Sequence, residues 1–435
     1  MTSRLSREVG LPGAVLLGLG SILGTGVFVS VGIATDIAGP AVVLAIVVAA
    51  LVATCNALSS AQLAASNPVS GGTYEYGYRY LTPLFGFSAG WLFLCAKSAS
   101  AATAALGFSA YTLNTLGVTS SELRTAVALV AVAGITALVV WGMRRSNRAN
   151  ALVVSITILA LIAFVAGGMP TLMSGGAGNL QPFFRVGTDG SGGATGAFLH
   201  ATALMFVAYT GYGRVATLGE EITDPQHNIP KAIVLTLLVS LVVYLAVGLV
   251  GVGSVGSAAF AAATQEVAAP LEIVARQFNV RGLPEFVAIG AVTAMLGVLL
   301  NLILGLSRVV LAMARRGDMP ARFARLDAAN TTPLAAVLFT GVIVGAIVLI
   351  GDIRVAWSFS AFTVLFYYAV TNLAALAMPA RERLYPRIVS ASGLIACVLL
   401  AFFLERSIWL VGLGVVGVGI VWHLSAQFRR GGQGD

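Results

Sequence analysis

Charged residues are scarce in this sequence, and their scarcity limits the class of protein it can be. Only 10% of the 435 residues are Asp, Glu, Lys or Arg, whereas 58% are hydrophobic and the mean hydropathy is +0.93. A soluble globular domain carries roughly 25% charged residues. The composition therefore excludes an ordinary soluble domain and favours a chain whose surface faces lipid.

Cysteine and histidine are also rare, with three of each in the chain. All six lie scattered or in apolar runs, without the spacing of metal ligands: Cys55, Cys95, Cys397, His200, His227 and His423. We therefore expect unreactive thiols, no metal site and no cofactor. Because the sequence also lacks a nucleophile elbow, a phosphate-binding loop and a zinc-protease helix, we do not expect an enzyme.

Long apolar runs, in contrast, recur along the whole chain, as in AVVLAIVVAALVA (41–53) and FTGVIVGAIVLI (339–350). Many belong to stretches long enough to cross about 30 Å of hydrocarbon, which predicts an all-α membrane protein. An outer-membrane barrel would show short alternating segments instead. The apolar runs and polar breaks predict twelve transmembrane helices: 11–34, 40–64, 84–113, 122–141, 150–169, 196–219, 229–253, 284–313, 333–351, 355–378, 387–404 and 408–425.

The basic residues are distributed unevenly over the predicted loops. If the N-terminus is cytoplasmic, most Lys and Arg residues fall on the inner side, including Arg144, Arg145 and Arg148. We therefore expect a multi-pass protein of the plasma (inner) membrane, surrounded by lipid, with both termini cytoplasmic. The net charge of +8 is mostly this topology signal. Since the basic residues are spread over short loops, we expect no nucleic-acid binding.

Glycines crowd the first predicted span, which contains LGLGSILGTGVF (17–28). Glycine loosens a helix, but small residues also let neighbouring helices approach closely in a membrane. The sixth span repeats the pattern in HATALMFVAYTGYGRVATLGEE (200–221), where Gly211 and Gly213 flank Tyr212. A pair of matching breaks favours interrupted helices that expose backbone groups to a cavity near mid-membrane.

The two glycine-rich spans each open one half of the chain. Spans one to five cover 11–169, spans six to ten cover 196–378, and two additional helices occupy 387–425. Because five helices is an odd number, the second half must enter the membrane with the opposite orientation. The sequence therefore predicts a five-plus-five inverted repeat in which helices 1 and 6 are interrupted.

Four motifs occur in order along the chain: GLGSILGTGVF (18–28), NPVSGGTYEYGYRYL (67–81), GEEITDPQHNIPKAI (219–233) and SRVVLAMARRGDMPARFARLDAANTTPLAA (307–336). They resemble the motifs of the amino acid–polyamine–organocation transporter superfamily, and most closely those of bacterial amino acid permeases. The resemblance implies the fold of the bacterial leucine transporter, with a five-plus-five core and two added helices. It also implies amino acid transport by alternating access.

The resemblance further implies a substrate site at the two interruptions. The substrate carboxylate would meet the helix-1 backbone at Thr25 and Gly26, and the α-amino group would meet helix-6 carbonyls. Helix ends of opposite polarity suit a zwitterion. The expected substrate-binding residues all lie at one of the breaks or on the third span: Ile22, Gly24, Thr25, Gly26, Ser98, Phe206, Tyr209, Thr210 and Gly211. The aromatic residues among them are equally consistent with ordinary core packing.

Two charged residues, Lys97 and Arg214, fall within predicted spans, which makes both functional candidates. The segment 294–306 has no Ser or Thr for the sodium site of some relatives, and Thr157 stands where other relatives have a lysine. We therefore expect Lys97 to supply the missing cation, either as a fixed charge or as a proton carrier that couples transport. Arg214 is expected to pair or gate, and Tyr212 to gate or line the pocket.

The predicted core spans contain no Asp or Glu near their middle, so a cationic side chain would lack a carboxylate partner. The sequence therefore favours neutral amino acids, moved with protons or by exchange. Transport of basic amino acids or polyamines, and a receptor that binds amino acids without transporting them, remain the alternatives. A channel is disfavoured because the spans are mostly Ala, Val, Leu and Gly rather than a continuous polar lining.

Overall fold

A computed structural model describes residues 9–67, 71–118, 120–141, 147–184, 193–216, 222–326 and 332–431. Nearly all of these residues are helical, and the only strand-like pairing among them is an isolated bridge between Val9 and Ile222. The α-helices are α1 (Leu11–Ile22), α2 (Val31–Ala38), α3 (Val42–Ser66), α4 (Thr73–Tyr80), α5 (Pro83–Thr115), α6 (Ser121–Val140), α7 (Asn147–Met173), α8 (Gly176–Asn179), α9 (Gly193–Tyr209), α10 (Gly213–Ala216), α11 (Pro225–Val255), α12 (Ser257–Val267), α13 (Pro270–Arg276), α14 (Leu283–Arg316), α15 (Leu334–Val348), α16 (Ile353–Ala377), α17 (Arg387–Ala401) and α18 (Arg406–Gly431).

Within the described residues, eight helical stretches are long and apolar enough to cross a membrane: Gly26–Ser66, Pro83–Thr115, Ser121–Val140, Arg148–Met173, Pro225–Val255, Leu283–Arg316, Ile353–Ala377 and Arg406–Ser425. Three shorter apolar helices are Leu11–Ile22, Leu334–Val348 and Arg387–Ala401. The all-helical membrane class is thus confirmed. Each of the twelve predicted spans overlaps helical structure, while the count of twelve crossings stays a prediction.

The long stretch Gly26–Ser66 turns a corner at Gly39 and Pro40. Gly39 has a φ of 60°, a backbone conformation that residues with a side chain rarely adopt. A short 3-10 turn, Gly39–Ala41, follows before α3 begins at Val42. The corner lies between the first two predicted spans, so α2 and α3 are separate helices, as the sequence predicts.

Among the eight long apolar stretches, α5 and α16 are the most enclosed. In each of them, 78% of the residues in the most apolar window are buried, against 22% for α6 and for α18. α5 packs along both α14 and α16, while α3 packs against α9 and α11, and α1 packs against α11. The centre of the molecule is therefore formed where α1, α5, α9, α14 and α16 approach one another.

Some features lie between or beyond the predicted spans. The short helices α4, α8, α12 and α13 all occupy segments that the sequence left as connections. The last residues of the sixth predicted span, 217–219, and the basic residues Arg144 and Arg145 lie outside the described ranges. The described connections therefore contain more helix than hydropathy alone predicts.

Candidate functional site

The first predicted span is interrupted at the predicted place. α1 ends at Ile22, and Leu23 adopts an extended conformation with φ −77° and ψ 93°. A five-residue π-helical turn, Gly26–Ser30, then leads into α2. The carbonyl end of α1 and the amide end of the following helical segment therefore meet around Gly24 and Thr25, deep inside the bundle.

The sixth predicted span is interrupted in a different way. α9 ends at Tyr209, a 3-10 turn covers Thr210–Tyr212, and α10 resumes at Gly213. The Thr210 hydroxyl donates a hydrogen bond to the Val207 carbonyl at 2.8 Å. The chain is thus tightened here rather than extended, and the break is milder than the one in the first span.

The glycines at the breaks lie where other segments approach very closely. A Cβ on Gly26 would lie 2.7 Å from the Tyr244 hydroxyl and 2.8 Å from the Ala208 Cβ. A Cβ on Gly211 would overlap the carbonyl oxygen of Ser21. Close helix packing and helix interruption are therefore combined at these positions, and the two interpretations of the glycines are not alternatives.

A cavity of about 40 Å³ lies between the two breaks. Six residues that the sequence singles out line it: Ile22, Thr25, Gly26, Lys97, Thr210 and Gly211. The other lining residues are Ser21, Ser100, Val207, Ala208, Val298, Leu302 and Trp357. The structure therefore brings together both predicted breaks and the charged residue of the third span.

Two predicted substrate-binding residues of the first and third spans, Gly24 and Ser98, do not line this cavity. Gly24 faces α14, and a Cβ added at this position would lie 2.6 Å from the Val298 side chain. The side chain of Ser98 is buried but does not reach the cavity. Ser100, two residues further along α5, lines the cavity instead. Successive helical residues point about 100° apart, so a two-residue offset places a side chain on a different face. Arg214 is half-buried in α10.

The predicted aromatic residues of the sixth span surround the cavity without lining it. The Phe206 ring meets the Tyr368 ring edge-on at 5.7 Å, and the Tyr212 ring lies 5.5 Å from the same ring. The Tyr209 hydroxyl donates to the Ile46 carbonyl at 3.3 Å. In this conformation these side chains are part of the core that supports the break, which is the plainer of the two interpretations.

Lys97 contacts the sixth-span break directly. Its Nζ donates a hydrogen bond to the Thr210 Oγ1 at 2.9 Å. Among the described residues, no carboxylate oxygen lies within 4 Å of Nζ, so this ammonium has a hydroxyl partner and no ion pair there. It lies at the carbonyl end of α9, where the helix dipole favours a positive charge.

Thr25 carries a buried hydroxyl with an unused hydrogen-bonding capacity. The residue is only 3% exposed, and its Oγ1 has no partner among the described residues. Buried polar atoms are nearly always paired, so each exception requires a reason. Because Thr25 lines the cavity at the first break, a bound ligand is the natural partner for this hydroxyl.

Tyr244 of α11 belongs to the candidate site by its contacts, and the sequence did not reveal it. Its hydroxyl lies 2.9 Å from the Ile22 carbonyl oxygen and 3.1 Å from the Ala208 carbonyl oxygen, and so it bridges the two breaks. The single O–H hydrogen is shared between two acceptors. A tyrosine inside an apolar helix gives no pattern that would reveal this position.

A second, larger hollow of about 500 Å³ is lined by α5, α6, α12 and the turn before α16. Its polar lining includes exposed side chains such as Glu122 and Asp352. The Asp352 carboxylate accepts hydrogen bonds from the amides of Arg354 and Val355 and so caps α16. This hollow is a surface depression, remote from both breaks.

The chain matches the amino acid permease family over residues 13–432. It is 40% identical to an uncharacterised transporter of Mycobacterium tuberculosis, over 99% of this chain and 95% of the relative. It is 32% identical to the branched-chain amino acid permease of Bacillus subtilis, over 78% of this chain and 73% of the relative. Identity to the mitochondrial cationic amino acid transporter 3 of Arabidopsis thaliana is 27%, over 78% of this chain and 57% of the relative.

The family assignment covers almost the whole chain and includes the four motifs that carry the resemblance to amino acid permeases. The described structure agrees with it, since long apolar helices account for most of the chain. This chain therefore belongs to the amino acid permease family, within the amino acid–polyamine–organocation superfamily of multi-pass membrane proteins.

Proposed function

We propose that this protein is a secondary active transporter that moves neutral amino acids across the plasma membrane by alternating access. The observation that carries the proposal is the cavity between the two helix breaks, where the buried Thr25 hydroxyl lacks a partner. Discontinuous helices near mid-membrane are the usual substrate sites of transporters with inverted repeats. The proposal includes twelve spans, the repeats 11–169 and 196–378, the added helices 387–425 and cytoplasmic termini.

The two breaks offer groups of both polarities to a zwitterion. Ile22 and Ala208 contribute carbonyl oxygens at helix ends, which favour an ammonium group. The helical segment that starts at Thr25 and Gly26 presents its amide end, which favours a carboxylate. In this conformation the Tyr244 hydroxyl bridges the two carbonyls, so an incoming α-amino group would take over part of that hydrogen bonding.

The cavity lining favours a neutral side chain. Among the described residues that line it there is no carboxylate, and the large apolar side chains of the lining are Ile22, Val298, Leu302 and Trp357. The similarity to a branched-chain amino acid permease supports this choice. The more distant cationic amino acid transporters support the alternative, a carrier of basic amino acids or polyamines.

A thermal-shift screen of the detergent-purified protein against the amino acids tests the substrate class. We expect neutral amino acids to raise the melting temperature, since a ligand that binds only the folded state stabilises it. Stabilisation by arginine, lysine or polyamines alone would favour the alternative. Saturable binding without accumulation in proteoliposomes would favour an amino acid receptor over a transporter.

The helix-1 break is tested by changing its glycine and its hydroxyl separately. Gly26→Leu should abolish uptake, because its side chain would occupy the space next to Ala208 and Tyr244. Gly305→Leu is the matched control in α14, since a Cβ there meets nothing within 4 Å. Thr25→Val keeps the shape and removes the hydroxyl, so it should weaken substrate binding about tenfold with little loss of folded protein. Normal transport by both site variants would contradict the proposal.

We propose that amino acid transport is coupled to protons or proceeds by exchange, and that Lys97 takes part in this coupling. The test is uptake into proteoliposomes under an imposed pH gradient, for the unmodified protein and for Lys97→Ala. We expect the gradient to drive uptake only in the unmodified protein if Lys97 carries the proton. A sodium requirement, or an unchanged pH dependence in Lys97→Ala, would remove Lys97 from coupling.

A further inference from the structure

We propose that Lys97 is a charge filter, which excludes amino acids with a cationic side chain from the cavity between the breaks. The inference rests on the proposed function and assigns a second property to the same site. Lys97 is the one charged side chain among the described residues that line the cavity. Any substrate in the cavity must therefore meet its ammonium group at close range.

The surroundings of Lys97 leave its charge without compensation by an acid. Nζ is held by the Thr210 hydroxyl at 2.9 Å, and the described part of the chain places no carboxylate within 4 Å of it. The buried carboxylates of the described residues are engaged elsewhere. Glu272 pairs with Arg276, and Asp318 accepts hydrogen bonds from Tyr74. The positive potential of Lys97 is therefore directed into the cavity.

The effect of that potential differs between substrate classes. A neutral amino acid carries one charge of each sign, so its net interaction with Lys97 is small. A cationic side chain adds a second positive charge a few ångströms away in a site that excludes most water, where repulsion is only weakly screened. We expect the resulting discrimination against a cationic side chain to be at least tenfold.

Removing the charge of Lys97 should not disturb the break. The Thr210 hydroxyl also donates to the Val207 carbonyl at 2.8 Å, so it keeps a partner when Lys97 is replaced. Lys97→Met retains an unbranched apolar side chain, and Lys97→Arg retains the charge. The chain has only one other lysine, Lys231, which is exposed on α11, so Lys231→Met is a matched control.

The test compares two competitors of labelled leucine binding to the detergent-purified full chain, because binding does not depend on coupling. Norleucine has the four side-chain carbons of lysine without the ammonium group. For the unmodified protein and for Lys231→Met, we expect the inhibition constant of lysine to be at least tenfold above that of norleucine. Lys97→Met should bring the ratio within about threefold, whereas Lys97→Arg should retain it.

Several results would overturn the filter. Equal inhibition by lysine and norleucine in the unmodified protein would do so without any variant, and so would an unchanged ratio in Lys97→Met. If Lys97→Met does not bind leucine, the same ratio is measured with Lys97→Gln and by thermal shift of the purified variants. Absence of leucine uptake, together with no stabilisation by any amino acid, would instead overturn the proposed function.

Discussion

At the end of the bundle where α16 begins, Arg354 pairs with Asp36 at 2.6 Å and approaches Glu405 at 3.6 Å. At the opposite end of α16, Thr371 contacts Thr73 of α4. Another carboxylate, that of Asp318, joins α4 to the end of α14 there. Asp318 there accepts hydrogen bonds from Tyr74 at 2.7 Å and from Tyr78 at 2.6 Å. We call these the Asp36 end and the Asp318 end.

The two ends differ in how far their charges are buried. The side chain of Arg354 is 31% exposed and that of Asp36 is 22% exposed, whereas that of Asp318 is 3% exposed. Solvent-exposed ion pairs contribute about 0–1 kcal/mol. Hydrogen bonds to a buried charged group contribute about 1.5–3 kcal/mol each. Separating the helices at the Asp36 end therefore costs less, and we expect that end to open more readily.

Further contacts reinforce the Asp318 end. Arg316 stacks over the Tyr78 ring at 4.2 Å and pairs with Glu75 at 2.5 Å, and Trp422 donates to the Asp318 carbonyl at 3.0 Å. Burial, followed by the hydrogen bond to Asp318, raises the pKa of both Tyr74 and Tyr78. Both phenols therefore stay protonated at alkaline pH, and the cluster keeps its donors.

The largest effect is expected from Asp318→Ala. The change leaves the Tyr74 and Tyr78 hydroxyls without their acceptor, and it should lower the free energy of unfolding by about 3–6 kcal/mol. The measurement is thermal unfolding of the detergent-purified protein. Asp318→Asn is the control, because it keeps one acceptor oxygen and should lose less. An alanine variant as stable as the unmodified protein would remove the contrast between the ends.

Tyr74→Phe should have an intermediate effect. It keeps the ring and removes one hydrogen bond to the buried carboxylate, which corresponds to about 1.5–3 kcal/mol of stability. Tyr80→Phe is the matched control at the same end, since the Tyr80 hydroxyl donates to the partly exposed Glu382 at 2.9 Å. Equal losses in both variants would show that burial does not decide the strength of these bonds.

Asp36→Asn should have a small effect on stability, at most about 1 kcal/mol. The difference from the unmodified protein should disappear in 1 M salt, where the Debye length is about 3 Å. The same variant should speed labelling of a cysteine placed at Ser100, in the cavity lining, by an impermeant thiol reagent from the Asp36 side. Unchanged labelling, or a salt-independent loss of stability, would contradict the assignment of the Asp36 end as the looser one.

Glu382 is expected to give the smallest effect, visible only in acid. Hydrogen bonds donated by Ser66 and Tyr80 lower the pKa of its carboxyl group. A lowered folded-state pKa gives stability that is present above the unfolded-state pKa of about 4.3 and is lost as the pH falls through the folded-state value. Glu382→Gln should therefore flatten the acid limb of a plot of melting temperature against pH, and an unaltered limb would show no contribution.

The sequence predicts the coarse fold well because apolar length and glycine clusters act locally. The interruption at Leu23 follows from the glycines around it, and the milder one at Thr210 follows from Gly211 and Gly213. Short helices such as α4 and α12 could not be predicted in the same way, since neither is long or apolar enough to resemble a span. Their formation depends on packing against the spans.

The candidate site was predictable only in part. The breaks and Lys97 were found because backbone irregularity and buried charge leave a signal in the sequence. Ser98 was predicted from the family resemblance, whereas Ser100 lines the cavity in this conformation; a resemblance alone does not fix which face of a helix points inwards. Tyr244 was missed because bridging two carbonyls requires nothing of the sequence beyond a tyrosine at one position of a long apolar helix.

The cavity between the breaks has consequences for apparent affinity. Its volume of about 40 Å³ holds only a few water molecules, since one water requires about 10–15 Å³ of such space. If this cavity is the substrate site, as proposed, an amino acid binds only to wider conformations, which make up a fraction of the population at equilibrium. The measured dissociation constant equals the intrinsic constant divided by that fraction. Substitutions remote from the ligand, such as those that loosen the Asp36 end, should then tighten binding without any new contact to the substrate.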